Sequence, residues 1–203
     1  MSTHSAFFYG TLMHPNILRR VIGNDGSHLH ICPAVLLHYT RHQVKHADYP
    51  GIVPYTESKI ALLDGKDLPL NDESVRGAFV SGLTTSDIRC LDVFEGSEYA
   101  RIPVHVHPLG PINPLSTTSN LKEKFVPPHP TPLPPVEELA DPVEVETYVY
   151  KDIEGLRHEL WSFDEFVKNN AWKWIGNREA EYGVDNEYAE VDRRRDKGTV
   201  AST

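Results

Sequence analysis

Apolar residues recur along this chain with two periods, and the switches between them lay out its elements. Ala6-Phe7-Phe8-Tyr9 is a short apolar run ended by Gly10; at this length it reads as a strand. Pro15 then suits a first helical position, and Ile17, Leu18, Val21 and Ile22 share one helical face until Gly23 stops it. Residues 24–30 read as a loop. Residues 33–46 read as extended, with Ala34-Val35-Leu36-Leu37 followed by Tyr39, Arg41, Gln43 and Lys45 in alternation. Tyr49-Pro50-Gly51 is a turn signal, and Ile52-Val53-Pro54-Tyr55 resumes a strand with Pro54 at an edge or bulge. After a polar loop over 64–74, residues 75–83 form a strand. Its Gly77 and Gly82 call for sharp curvature or a close backbone approach, as in a small closed barrel.

Thr84, Thr85 and Ser86 are N-cap candidates with Asp87 placed to complete a capping pattern, and the helix they open runs to about Phe94. Ile102, Val104 and Val106 then alternate on a half-buried strand over 101–107, whose expected partner is 143–151. The Pro-rich segment 108–142 between them has no apolar periodicity and reads as a mobile insertion in a hairpin loop. Ser162 and Glu165 form a capping box for a further helix ending at Gly176, with Trp161 stapled to Phe166. The reading is therefore one domain over 1–176 and a C-terminal extension over 177–203, disordered toward its end.

Composition narrows the partners. The chain carries a net charge of −9, and Arg193-Arg194-Arg195 is its densest basic run. Nucleic acid and anionic membranes are not expected partners. No apolar run reaches the roughly 18 residues of a membrane span. Two distant cysteines, Cys32 and Cys90, fit a reducing compartment, and the N-terminus has no signal-peptide pattern; a cytoplasmic protein is expected. Oligomeric state stays open.

The candidate chemistry centres on Leu91-Asp92-Val93-Phe94-Glu95-Gly96-Ser97-Glu98-Tyr99. Glu95 falls at or just past a helix C-terminus, where the macrodipole disfavours a carboxylate, with Phe94 and Tyr99 to desolvate it. Both effects raise a carboxyl pKa toward the range that suits general acid/base work. An exposed glutamate at a frayed helix end is the plainer alternative. The turn at Gly10 presents backbone amides beside a helix start, a setting that favours an anion. His38, His42 and His46 are evenly spaced, but on a strand neighbours four apart stand about 13 Å from each other. They read as solvated strand histidines, as do His105 and His107, and no metal or other cofactor is expected.

Phe-Phe-Tyr-Gly-Thr-Leu at 7–12 and Leu-Asp-Val-Phe-Glu-Gly-Ser-Glu-Tyr at 91–99 together resemble the gamma-glutamylcyclotransferase-like family, in its plant and fungal avirulence-induced-gene branch. Pro33-Ala34-Val35-Leu36, Tyr49-Pro50-Gly51-Ile52-Val53-Pro54, Arg76-Gly77 and Glu146-Thr147-Tyr148-Val149-Tyr150 match in order, so the resemblance runs from about residue 6 to 152. It implies an α+β fold, a small mixed β-barrel with flanking α-helices. It also implies a substrate-binding loop at Tyr9, Gly10, Thr11 and Leu12, a catalytic acid/base at Glu95, and a substrate contact from Tyr148. The implied activity releases an amine or amino acid from a gamma-glutamyl compound and leaves 5-oxoproline. The chemistry needs no protein nucleophile, because the substrate's α-amine attacks its own γ-carbonyl. Two other readings are a binding or regulatory protein without turnover on the same fold, and an interaction protein working through its Pro-rich loop.

Overall fold

The computed structural model describes residues 3–47, 49–116 and 131–161, together with Arg193. Five strands close into a mixed barrel: β1 (His4–Phe8), β2 (His30–Leu37), β5 (Ser74–Leu83), β6 (Tyr99–Pro108) and β8 (Val143–Tyr150). Their order is β5–β1–β8–β6–β2, and β2 returns to pair with β5. Only β1 with β8 is parallel among these pairings. Period-two alternation sends one residue set inward and the other out. Phe7, Cys32, Leu36, Phe79, Val106 and Val145 fill the interior. Phe8, Ala78, Val80 and Tyr148 face outward, where α1 (Pro15–Ile22) and α3 (Thr85–Glu95) cover them with Leu18, Val21, Leu91 and Phe94.

A second sheet, β4–β3–β9, joins β3 (Tyr39–Val44), β4 (Pro50–Pro54) and β9 (Leu156–Leu160). The extended run expected over 33–46 is thus two strands in different sheets, parted where His38 takes φ 61°. This corrects the expectation of solvated histidines at one position. His42 is fully buried, with Nε2 3.0 Å from Thr40 Oγ1 and Nδ1 2.9 Å from the Arg157 carbonyl. Burial lowers its pKa, against the opposing pull of nearby backbone carbonyls. His46, also at positive φ, sits in the turn after β3.

Tyr55 opens a helix, α2 (Tyr55–Ala61), rather than extending β4. Its inward-facing side carries the buried Ser58 while Ile60 is exposed, so no apolar stripe marked it. β9 escaped for a similar reason, since Leu156 is its one fully buried side chain. The segment after β6 buries more than its composition implied. Asn113 and Pro114 form the short strand β7 against β2, and Leu115 is fully buried, its amide donating to Leu29 O at 2.8 Å. The helix expected from Ser162 and the extension over 177–203 lie outside the described residues. Among the described residues no helix is long and apolar enough to cross a membrane.

Candidate active site

The apolar run of β1 ends at Phe8, and Tyr9-Gly10 carries the chain into a 3-10 turn over Thr11–Met13 before α1 begins. The turn interrupts the direct strand-to-helix step expected from sequence. Met13 N donates to Gly10 O and His14 N to Thr11 O, both at 3.1 Å, so the amides of Thr11 and Leu12 precede the turn's own hydrogen bonds. At Gly10 the backbone passes under β4. A Cβ there would stand 3.3 Å from Pro50 Cγ, a tight contact.

α3 delivers the second component. Thr84 caps it, accepting from Asp87 N at 3.1 Å, while Asp87 Oδ2 accepts from Thr84 N at 2.8 Å. Asn24 and His28 also reach the buried Asp87 carboxylate, at 2.8 and 2.9 Å. Pinned at its start, the helix runs to Glu95 as its last residue, and Gly96 at φ 72° turns the chain away. Glu95 is half-buried. It lines an open cleft with Tyr9, Gly10, Thr11, Leu12, Phe94, Tyr99 and Tyr148, and Phe7, Phe8, Tyr49 and Pro50 also belong to the wall. The cleft encloses roughly 380 Å³, counting the solvent at its mouth. Every candidate site residue named from sequence therefore lines the same cleft.

Tyr148 arrives through the parallel pairing of β1 with β8, which sets Thr147 beside Phe7. Its hydroxyl donates to Asp92 Oδ1 at 2.9 Å. Asp92 is also held by Arg101, with Nε 2.9 Å from Oδ1, and Arg101 bonds Glu146 in turn. Burial opposes the Arg101 charge, yet its bonds with Asp92 and the nearby Glu146 outweigh this and raise its pKa. Tyr9 directs its hydroxyl to the Tyr148 carbonyl at 2.6 Å. Burial first and the Glu95 charge second push the Tyr9 phenol well above its ordinary range, with the Ile52 amide and Arg41 pulling back. Tyr148 is raised too, by burial, then by Asp92, then by Glu95. Both phenols remain protonated at any ordinary pH.

Asp92, Tyr49, Pro50 and Tyr99 were not singled out as site residues. Asp92 stands three residues before Glu95, one helical turn back on the same face, and that spacing was the available signal. Glu98 is exposed on the rim, where Oε2 accepts from Tyr49 Oη at 3.3 Å. Among the described residues no three His, Cys, Asp or Glu side chains gather as a metal site would require.

One family model matches this sequence. Its description is "Gamma-glutamyl cyclotransferase, AIG2-like", and it aligns with residues 6–118. The chain belongs to that family. The aligned region stops short of Tyr148. Among curated relatives, Protein AIG2 C of Arabidopsis thaliana is 23% identical over 174 residues, which is 85% of this chain and 78% of that protein. AIG2-like protein D of the same plant is 27% identical over 106 residues, 52% of this chain and 58% of that protein, so the match spans little more than half of that relative. A solution structure of an Arabidopsis thaliana protein shares the fold, with TM-score 0.50 and 22% identity over 90% of this chain and 93% of that one. A yeast gamma-glutamyl cyclotransferase specific to glutathione aligns at TM-score 0.48 and 13% identity, covering 98% and 97% of the two chains.

Proposed function

We propose that this protein releases an amine or amino acid from a gamma-glutamyl compound and forms 5-oxoproline, with Glu95 as general acid/base. The observation that carries the reading is a half-buried carboxylate at a helix end sharing one cleft with the Gly10-Thr11-Leu12 turn.

The reaction is intramolecular. The substrate's α-nitrogen attacks its own γ-carbonyl carbon, a new C–N bond closes the ring, and the original amide C–N bond breaks. The α-ammonium loses one proton before attack and the ring nitrogen a second as the lactam forms. The departing nitrogen gains one to leave as a neutral amine and a second when that amine becomes an ammonium ion. A single carboxylate between them serves both needs, so Glu95 takes the first proton and delivers it to the leaving amine. What remains is to hold an extended chain folded back on itself, which accounts for much of the barrier to ring closure. The amides of Thr11 and Leu12 are suited to the α-carboxylate or to the oxyanion that develops at the γ-carbonyl. Tyr9 contributes through position: its hydroxyl braces the Tyr148 backbone, and its ring walls the cleft beside Glu95.

Incubating the protein with a panel of gamma-glutamyl amides and assaying 5-oxoproline tests the reading. Turnover of at least one compound is expected; release of free glutamate without ring closure would contradict it.

A further inference from the structure

Four tyrosines line the cleft, and each directs its hydroxyl toward an acceptor of the protein itself. Tyr148 Oη is 2.9 Å from Asp92 Oδ1, Tyr9 Oη 2.6 Å from the Tyr148 carbonyl, Tyr99 Oη 3.0 Å from the Pro50 carbonyl and Tyr49 Oη 3.3 Å from Glu98 Oε2. A phenol has one proton, and carbonyls and carboxylates only accept. The direction of these bonds therefore follows from their chemistry: the tyrosines donate, and lone pairs are what their oxygens have left to offer.

Tyr148 is the member set by a dedicated arrangement. Asp92 is ion-paired with Arg101, which is bonded to Glu146 on β8. Arg101 and Tyr148 are direct cross-strand partners, so the pair that holds Asp92 is built on the same rung as the tyrosine it orients. Asp92 and Glu95 lie three residues apart on the last turn of α3. One helix end thus carries both the proposed proton carrier and the anchor of the tyrosine beside it. The cleft lining therefore carries both kinds of group: Tyr148 and Glu95 bring acceptor oxygens, and the turn brings the Thr11 and Leu12 amides, which precede its own hydrogen bonds.

We propose that Asp92 is a positioning residue which, by accepting the hydrogen bond of the Tyr148 hydroxyl, leaves that oxygen's lone pairs as acceptors for a ligand ammonium group. For the ligand's identity this rests on the gamma-glutamyl reading above. It adds an orientation: the α-ammonium lies against Tyr148 and Glu95, and the α-carboxylate or the γ-carbonyl oxygen turns to the Thr11 and Leu12 amides. The group that must lose a proton then lies next to the carboxylate that takes it.

Two ligands differing only in the amine separate this from a packing role. These are gamma-glutamyl methylamide and glutaric acid monomethylamide, with dissociation constants measured by calorimetry in a Glu95→Gln background so that turnover does not compete. The background protein is expected to favour the amine-bearing ligand about tenfold or more, the worth of one hydrogen bond to a charged group. Adding Tyr148→Phe, which leaves the Asp92–Arg101 pair in place, should reduce that preference to about twofold or less without weakening the glutaric compound. Asp92→Ala should do the same, and Asp92→Glu should keep part of the preference. Persistence of the full preference in both Tyr148→Phe and Asp92→Ala, or equal weakening of the two ligands, would overturn the proposal. Equal affinity of both ligands for the background protein contradicts this inference alone. Binding of neither contradicts the gamma-glutamyl reading as well.

Discussion

A Cβ built on Gly77 would stand 2.2 Å from the carbonyl oxygen of Phe8 and 2.6 Å from the ring of Phe7. No rotamer relieves the first contact, because backbone rather than a flexible side chain is the obstacle. β5 and β1 pair here, immediately before the Tyr9-Gly10 turn. Gly77→Ala is expected to cost about 2 kcal/mol or more, the scale of an overpacked core, and to loosen the turn that β1 leads into. Chemical denaturation measures the first effect. Unchanged stability would mean that β1 and β5 do not meet this closely.

Asp87 joins the cap of α3 to the loop before β2. Desolvation raises its pKa, but the bonds from Thr84, His28 and Asn24 outweigh this and the net shift is downward. A carboxylate lowered in the folded state adds stability that is fully present above its unfolded pKa of about 3.9 and is lost as pH falls through the folded value. Asp87→Ala should therefore cost about 2 kcal/mol at pH 7. The gap to wild type should narrow below about pH 4. A difference independent of pH would remove the ionic part of this account.

Leu115 anchors the beginning of the Pro-rich segment. It is fully buried, Arg19 Nη2 donates to its carbonyl at 2.9 Å, and its side chain closes over Gly26. Leu115→Ala should cost about 3 kcal/mol, as for other buried leucines. A melting temperature unchanged from wild type would show that this residue does not pack.

The two cysteines should separate cleanly by reactivity. Cys32 lies inside the barrel, where burial pushes its thiol up to about 11, and Cys90 is half-buried on α3. At pH 7 a maleimide should label one thiol of the native protein, and the second roughly a hundredfold more slowly or only after denaturation. Rapid labelling of both would contradict a closed barrel interior.

Where residues bury a strong pattern, the fold was legible from sequence. The helical stripe from Ile17 to Ile22, the capping pair Thr84 and Asp87, and the alternation on β6 with its partner β8 all stand where the pattern puts them. Gly77 and Gly82 mark close approaches as expected, Gly82 at φ 91° against the His28 carbonyl. What stayed hidden is held by few buried side chains or by distant partners. α2 and β9 turn almost nothing apolar inward, so neither has a period to read. The burial of His42 depends on its bonds to Thr40 and to the Arg157 carbonyl, the latter more than a hundred residues away. Glu95 is a candidate from its own neighbourhood, whereas the Tyr9-Gly10-Thr11-Leu12 loop and Tyr148 are named through the family resemblance. Asp92 offered only its spacing from Glu95, because its bond with Tyr148 forms only once β8 reaches the end of α3.

The most direct test of the central claim is Glu95→Gln, which keeps the shape of the side chain but cannot carry the proton. 5-Oxoproline formation and ligand affinity are measured together for wild type, Glu95→Gln and the rim control Glu98→Gln, on a gamma-glutamyl compound that the wild type turns over. Turnover by Glu95→Gln should fall about a hundredfold or more, the usual contribution of a positioned acid/base, while its affinity persists and Glu98→Gln stays near wild type. Near wild-type turnover by Glu95→Gln would contradict the mechanism.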